Sequence, residues 1–271
     1  MSTLSVVLAT FNEEENLPKC LESVKDLADE IVIVDGSSTD KTVEVAKKFG
    51  AKVVVTTNKP IFHINKQKAI DMATKDWILQ LDADERVTPE LKDEIKEAIS
   101  ETGRDPSTRP AKRDFAQDDS GAVNGYWIPR KNWFLGRFLM KGGQYPDYTM
   151  RLYRKGKGKL PQKTVHEQAV VEGKVGYLKS QLMHMADLKF SRYLIRFDRY
   201  TSLIRDELKR KKIGYNPIMA IEYLFILPIS WFFLTYVRHK GFMDSWQGFV
   251  FSLFSALRFS VGYIKYIKNH G

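Results

Sequence analysis

Apolar and polar positions are grouped in a regular way along the first hundred residues. Leu4-Ser5-Val6-Val7-Leu8-Ala9, Ile31-Val32-Ile33-Val34, Val53-Val54-Val55 and Trp77-Ile78-Leu79-Gln80-Leu81 are short apolar runs rich in β-branched residues. Runs apolar on both faces fit strands of a parallel sheet covered by helices. Residues 14–25, 40–49, 65–74 and 89–100 between them carry helical patterning. Ser38-Thr39-Asp40 and Thr88-Pro89-Glu90 are suitable helix starts, with a capping hydroxyl or a proline in the first turn. Strand and helix alternate, which predicts an α/β fold with an open, doubly wound sheet.

The pattern stops over 102–124, where Gly103, Pro106, Pro110, Gly121 and many charges predict a mobile surface insert at about 103–122. Strand-like pieces resume at 125–128 and 150–153. After His184 the chain turns basic and helical, then very apolar, so the expected layout is a catalytic domain over 1–187 and a membrane-associating helical region over 188–271. The run 218–237 is long enough to span a bilayer. Lys209-Arg210-Lys211-Lys212 precede it and Arg238-His239-Lys240 follow it, and both flanks prefer the cytoplasm. Pro228 offers a break at its middle, so a re-entrant or in-plane pair of half-helices is expected. Trp246, Phe249, Val250, Leu253, Phe254, Leu257, Val261 and Ile264 then form an apolar helical stripe. Asp244, Ser252, Ser255, Arg258, Gly262 and Lys265 fall on the opposite side, so an amphipathic helix lying in the headgroup region is expected. The alternative is that both segments pack on the catalytic domain or on another subunit. Arg192, Arg196, Arg199 and Arg205 would meet acidic lipid headgroups.

Ligands on open α/β sheets bind beyond the carboxyl ends of the strands. Three polar clusters stand there: Thr10-Phe11-Asn12-Glu13-Glu14, Asp35-Gly36-Ser37-Ser38-Thr39-Asp40 and Asp82-Ala83-Asp84-Glu85. Two carboxylates one residue apart, just past a strand, can hold Mg²⁺ or Mn²⁺ through oxygen, with water and a substrate diphosphate completing the shell. Capping of the next helix is the other use of such a pair, and Thr88-Pro89 already serves that helix. Asp35 suits a hydrogen bond to a ribose or base edge, or else closes an Asx-turn without any ligand. Neither G-x-G-x-x-G nor G-x-x-x-x-G-K occurs, so a dinucleotide fold and a P-loop are unsupported.

The net charge of +10 over 271 residues calls for an anionic partner: nucleic acid, acidic phospholipid or nucleotide phosphates. A binding module selected by charge alone would not need Asp35, Asp82 and Asp84 along one sheet edge, which argues against nucleic acid. A nucleotidyltransferase would carry a glycine-rich phosphate loop where Asn12-Glu13-Glu14-Glu15 stands. The single cysteine, Cys20, excludes an internal disulfide and fits a reducing compartment. Residues 1–10 lack a secretory signal, so the catalytic part is expected in the cytoplasm.

Ala9 to Asn16, Val34-Asp35-Gly36-Ser37-Ser38-Thr39-Asp40 and Leu81-Asp82-Ala83-Asp84-Glu85 together resemble the three ordered signatures of family 2 glycosyltransferases. The resemblance implies a GT-A (Rossmann-like) fold, a mostly parallel sheet flanked by helices, and inverting transfer from a nucleotide-diphosphate sugar, with a UDP-hexose as the expected donor. It implies that Phe11, Glu13 and Asp35, with the flanking Thr10 and Asn12, hold the nucleoside. Asp82, Ala83 and Asp84 would serve ribose and metal-diphosphate, with Mg²⁺ or Mn²⁺ as cofactor. Further runs are similar to the branch that adds sugars to lipopolysaccharide core. These are Arg130-Lys131-Asn132-Trp133-Phe134-Leu135-Gly136, Gly142-Gly143-Gln144-Tyr145-Pro146-Asp147, Arg151-Leu152-Tyr153-Arg154, Val165-His166-Glu167 and His184. That branch implies a lipid-linked saccharide acceptor at the cytoplasmic face of the bacterial inner membrane, and a diphosphate contact from Lys68 beside Gln67. A polyprenyl phosphate is the alternative acceptor. Inverting transfer needs one general base, for which Asp147 and Glu167 are the candidates, Asp147 first. His184 would complete the metal shell or else sit in a core after the sheet. Arg151 and Arg154 would face the phosphates or solvent.

Overall fold

The computed structural model describes residues 2–59, 62–100, 122–162, 168–211, 213 and 217–268, apart from the Asp187 side chain. Glu167 and, except for Ala122, the expected insert at about 103–122 lie outside these residues. The chain forms two compact units, one of Met1–Arg130 with Tyr148–His184, the other of Lys131–Asp147 with Met185–Gly271.

In the first unit β1 (Leu4–Thr10), β2 (Glu30–Asp35), β3 (Lys52–Val55) and β4 (Trp77–Gln80) are parallel, in the order β3-β2-β1-β4. The helices are α1 (Leu17–Glu22), α2 (Thr42–Lys48), α3 (His63–Met72) and α4 (Pro89–Ser100). The remaining strands are β5 (Glu85–Val87), β6 (Gly125–Phe134), β7 (Arg137–Leu139), β8 (Asp147–Arg154), β9 (Gly158–Lys159), β10 (Val170–Val171), β11 (Val175–Tyr177) and β12 (Leu182–Asp187). The sheet continues from β4 through β8, β6 and β12 to β5, and the β4–β8 and β12–β5 pairs are antiparallel. It is a mixed sheet, parallel over β3-β2-β1-β4.

Alternation along β1 explains the layering. Leu4, Val6 and Leu8 bury on the face covered by α1 and α4, with Leu17, Leu21, Leu91 and Ile95. Val7 faces Ala69 and Ile70 of α3. Two of the sequence expectations change here. The first helix is shorter than 14–25, because the amides of Asn16 and Leu17 are spent closing a turn on the Glu13 carbonyl. His184 lies within the sheet, on β12 opposite Glu85. Leu182, His184 and Ala186 share one strand face, and the buried Leu182 and Ala186 draw the strand in.

The second unit contains α5 (Phe190–Arg210), α6 (Pro217–Arg238) and α7 (Ser245–Lys268). Pro228 does not break α6. The turn before it is a π-turn, Glu222–Ile226, which lets the helix pass the missing amide. The Ser260 hydroxyl donates to the carbonyls of Tyr223 and Leu224, which Pro228 cannot serve. The two faces of α7 are used differently. Gly248, Ser252, Ala256 and Gly262 are buried, whereas Trp246, Phe249, Leu257 and Ile264 are exposed. Small residues let the helix backbones approach closely. Ser255 accepts the Trp231 indole N–H at 2.9 Å, and Lys265 pairs with Asp198 at 2.6 Å, so that side is used internally. Helix α6 is long and apolar enough to cross a membrane, and only 11% of its most apolar window is buried.

Candidate active site

The parallel register sets Thr10 beside Asp35. The Asp35 carboxylate is fully buried and accepts the Thr10 hydroxyl at 2.8 Å, the Ser38 amide at 2.8 Å and the Ser38 hydroxyl at 2.6 Å. The turn anticipated for Asp35 is therefore present, and three of the roughly four lone-pair directions of the carboxylate are filled. Asn12, at φ 54°, knits the same loop: its amide donates to Ser38 Oγ, and its side-chain oxygen accepts the Thr39 amide, each at 2.8 Å. Glu13 accepts the Asn16 side-chain amide at 2.7 Å. Phe11 is 43% exposed at the mouth of this loop, an apolar ring open to a planar ligand.

The Asp82–Glu85 turn follows β4. Asp82 pairs with Lys66 through one oxygen and accepts Arg151 Nη2 at 2.7 Å through the other. Arg151 also donates to the fully buried Glu85 at 2.7 Å, and Arg130 reaches Glu85 at 3.3 Å. Burial raises the Asp82 pKa, but Arg151 and then Lys66 outweigh it and hold the carboxyl well below the usual range. Arg151 responds in the opposite sense: burial lowers its pKa, and Asp82 and Glu85 more than restore it. The main chain of the turn is fixed as well. Arg86 donates to the carbonyls of Ala83 at 2.7 Å and Glu85 at 2.8 Å, and the Glu85 amide returns to Asp82 O at 2.9 Å.

Asp84 projects from the same turn, and its Oδ2 lies 3.5 Å from His184 Nε2 on β12. Among the described residues, no three His, Cys, Asp or Glu side chains come together as a complete metal shell. Asp84 and His184 are nevertheless the donor pair that suits a hard cation retaining water and substrate oxygens. Asp82 is less suited, since cations already face both of its oxygens.

Other expected residues fall elsewhere. Arg154 pairs in register with Trp77 at the opposite end of β4 and stacks on that ring at 5.1 Å, away from the turn. Lys68 is exposed on α3, and Lys66 is the lysine that reaches Asp82. Asp147 belongs to the second unit, where it accepts Asn132 Nδ2 at 3.2 Å. Lys66, Glu85, Arg86 and Arg130 had been given no role. Lys66 was detectable, because it falls on the buried Lys66-Ala69-Ile70-Ala73 stripe of α3, where a charge needs a counter-charge.

The sequence profile of "Glycosyl transferase family 2" matches residues 5–157, more than half of the chain and all of this turn network except His184. The chain belongs to glycosyltransferase family 2. It is a hexosyltransferase with a GT-A-like α/β domain. An uncharacterised glycosyltransferase of Rickettsia typhi is 28% identical to this glycosyltransferase over 94% of this chain and 84% of its own. The lipopolysaccharide core biosynthesis glycosyltransferase LpsC of Rhizobium meliloti is 27% identical over 94% and 91%. Glucosyl-3-phosphoglycerate synthase of Mycobacterium tuberculosis was crystallised with Mn²⁺, uridine diphosphate and glucosyl-3-phosphoglycerate. It matches 31% of this chain and 34% of its own, at 27% identity and a TM-score of 0.29.

Proposed function

We propose that this glycosyltransferase moves a hexose, with inversion, from a nucleotide-diphosphate sugar such as a UDP-hexose to a lipid-linked saccharide of the lipopolysaccharide-core type. It would work at the cytoplasmic face of a bacterial inner membrane. The observation that carries the proposal is the Asp84–His184 pair beside a cluster in which Lys66, Arg130 and Arg151 face Asp82 and Glu85. With Asp84 the carboxylates match those three cations, and a divalent cation at Asp84 would add the positive charge that a diphosphate needs.

In this reading Thr10, Phe11, Asn12, Glu13 and Asp35 shape the nucleoside end, with the Phe11 ring as the stacking surface. Asp84 and His184 would hold Mg²⁺ or Mn²⁺, which would supply charge to offset that on the departing diphosphate. Arg151 and Lys66 keep Asp82 ionised and oriented for the ribose, so the site is organised before the donor arrives. Asp147 accepts the proton of the attacking acceptor hydroxyl, with Asn132 setting the carboxylate's orientation. The LpsC relative, alike over nearly its whole length, favours the lipopolysaccharide-core acceptor. The exposed apolar surface of α6 and α7 favours a membrane location, monotopic or peripheral, with the basic flanks on the cytoplasmic side.

The test is incubation with Mn²⁺, a panel of nucleotide sugars and a lipid-linked core saccharide. Release of nucleoside diphosphate, raised by the acceptor, is the expected result. The proposal fails if no donor is turned over and no nucleotide binds.

A further inference from the structure

The helical unit contains a cation that its own fold leaves unanswered. Lys265 pairs with Asp198, Arg205 with Asp206 and Lys211 with Glu207. Arg258 of α7 has no carboxylate or hydrogen-bond acceptor among the described residues. Its guanidinium lies 4.5 Å from the Trp231 ring centroid and 4.8 Å from that of Phe259. Trp231 is itself fixed, because its indole N–H donates to Ser255 one turn before Arg258. Aromatic faces stabilise the flat sides of a guanidinium and leave its N–H edge available.

The surroundings narrow what can meet that edge. Leu227 and Leu234, one turn to either side of Trp231 on the same face of α6, are part-exposed, and Leu257, next to Arg258 in the chain, is exposed. A sugar or a free nucleotide would find few polar partners here. An ionisable side chain in an apolar segment calls for an anionic counterpart. A guanidinium edge fits the paired oxygens of a phosphate.

We infer that Arg258, framed by Trp231 and Phe259, binds the phosphate of an anionic membrane lipid. The inference rests on the reading that this unit contacts a membrane, and it adds a defined lipid site to it. A general basic surface needs only charge. This site needs the planar fork, so lysine does not replace arginine.

The test is flotation of the full chain with phosphatidylcholine vesicles, and with vesicles in which part of that lipid is replaced by phosphatidylglycerol. Wild type is expected to bind both and to prefer the second. Arg258→Gln should lose about fivefold of that preference, and Arg258→Lys, which keeps the charge but not the fork, should lose it as well, with helix content and melting unchanged. Native mass spectrometry of the detergent-purified wild type should find phosphatidylglycerol retained, and the Arg258→Lys protein should have shed it. If Arg258→Lys keeps both the preference and the lipid, the site is refuted while membrane binding stands. Abolition of the preference by inorganic phosphate at matched ionic strength would assign the site to free anions and overturn the lipid proposal. If wild type floats with neither vesicle, the membrane reading and the lipid site fall together.

Discussion

The two units sort the same amino acids in opposite directions. In the sheet-bearing unit Leu4, Trp77 and Leu79 are fully buried, and charges enter the interior in partnership, as Lys66, Glu85 and Arg151 do. In the helical unit Ile218, Phe225, Ile229, Phe233 and Trp246 are each more than half exposed, while Gly248, Ser252, Ala256 and Gly262 fill the interior. The first arrangement minimises apolar surface against water. The second packs small residues between helices and leaves the large apolar ones to an apolar surrounding. What separates the units most sharply is the direction in which each one turns its apolar side chains.

The contrast can be broken most forcefully from the sheet side. Arg151→Met takes the nearer guanidinium from the fully buried Glu85, leaving Arg130 at 3.3 Å, and leaves Asp82 with Lys66. Breaking a buried ion pair by removing one partner costs about 3–5 kcal/mol, so chemical denaturation should show the largest loss of any change considered. Asp84→Ala removes a charge that the fold does not need. Turnover should fall about 10²–10³-fold and Mn²⁺ affinity should drop, with the unfolding midpoint nearly unchanged. A variant that keeps its turnover would separate Asp84 from the chemistry.

Acid sharpens the same contrast, through a group at the far end of the strands. Glu30 accepts Ser5 Oγ at 2.5 Å, Lys52 Nζ at 2.6 Å and the Thr74 amide at 2.8 Å. Burial alone would raise its pKa, but Lys52, Ser5 and Thr74 together bring it down to about 2 from 4.5. A depressed carboxyl stabilises the fold fully above its unfolded pKa, and that contribution disappears as pH falls through the folded value. About 3 kcal/mol should therefore be lost between roughly pH 4.5 and 2. Acid titration of stability should be shallower over that window in Glu30→Gln. An equal slope would show that the network is not linked to folding.

The parallel strands were legible because β-branched runs, apolar on both faces, have few other uses. Asp82 and Asp84 could be found because strand ends are where such sheets bind ligands. What could not be read was the pairing of polar groups across long separations. Asp82 and Arg151 are far apart in sequence, and no local pattern states that one carboxylate of the pair is answered by cations while the other meets His184. The choice between Lys66 and Lys68 depended on helix phase, which the apolar stripe did supply. The close packing of the other side of α7 was not legible for a different reason. A stripe identifies two faces, but which one turns inward depends on the surrounding solvent, and periodicity carries no information about that.

Two substitutions in the helical unit test that orientation, and they should differ in the order opposite to intuition. A Cβ at Gly262 would stand 2.6 Å from Ile204 Cγ2 and 2.9 Å from its Cβ, closer than real side chains come. Gly262→Leu should separate α5 from α7 and cost about 1–3 kcal/mol, although it adds an apolar group to an apolar helix. Phe225 is 59% exposed on α6, so Phe225→Ser should leave the stability of the detergent-solubilised protein within about 0.5 kcal/mol while weakening vesicle binding. In water-facing helices a lost phenylalanine is usually the costly change, and a filled glycine on the surface the mild one. If Phe225→Ser unfolds the unit and Gly262→Leu is silent, the exposed surface of α6 is a covered core, and the helical unit follows the same rule as the sheet.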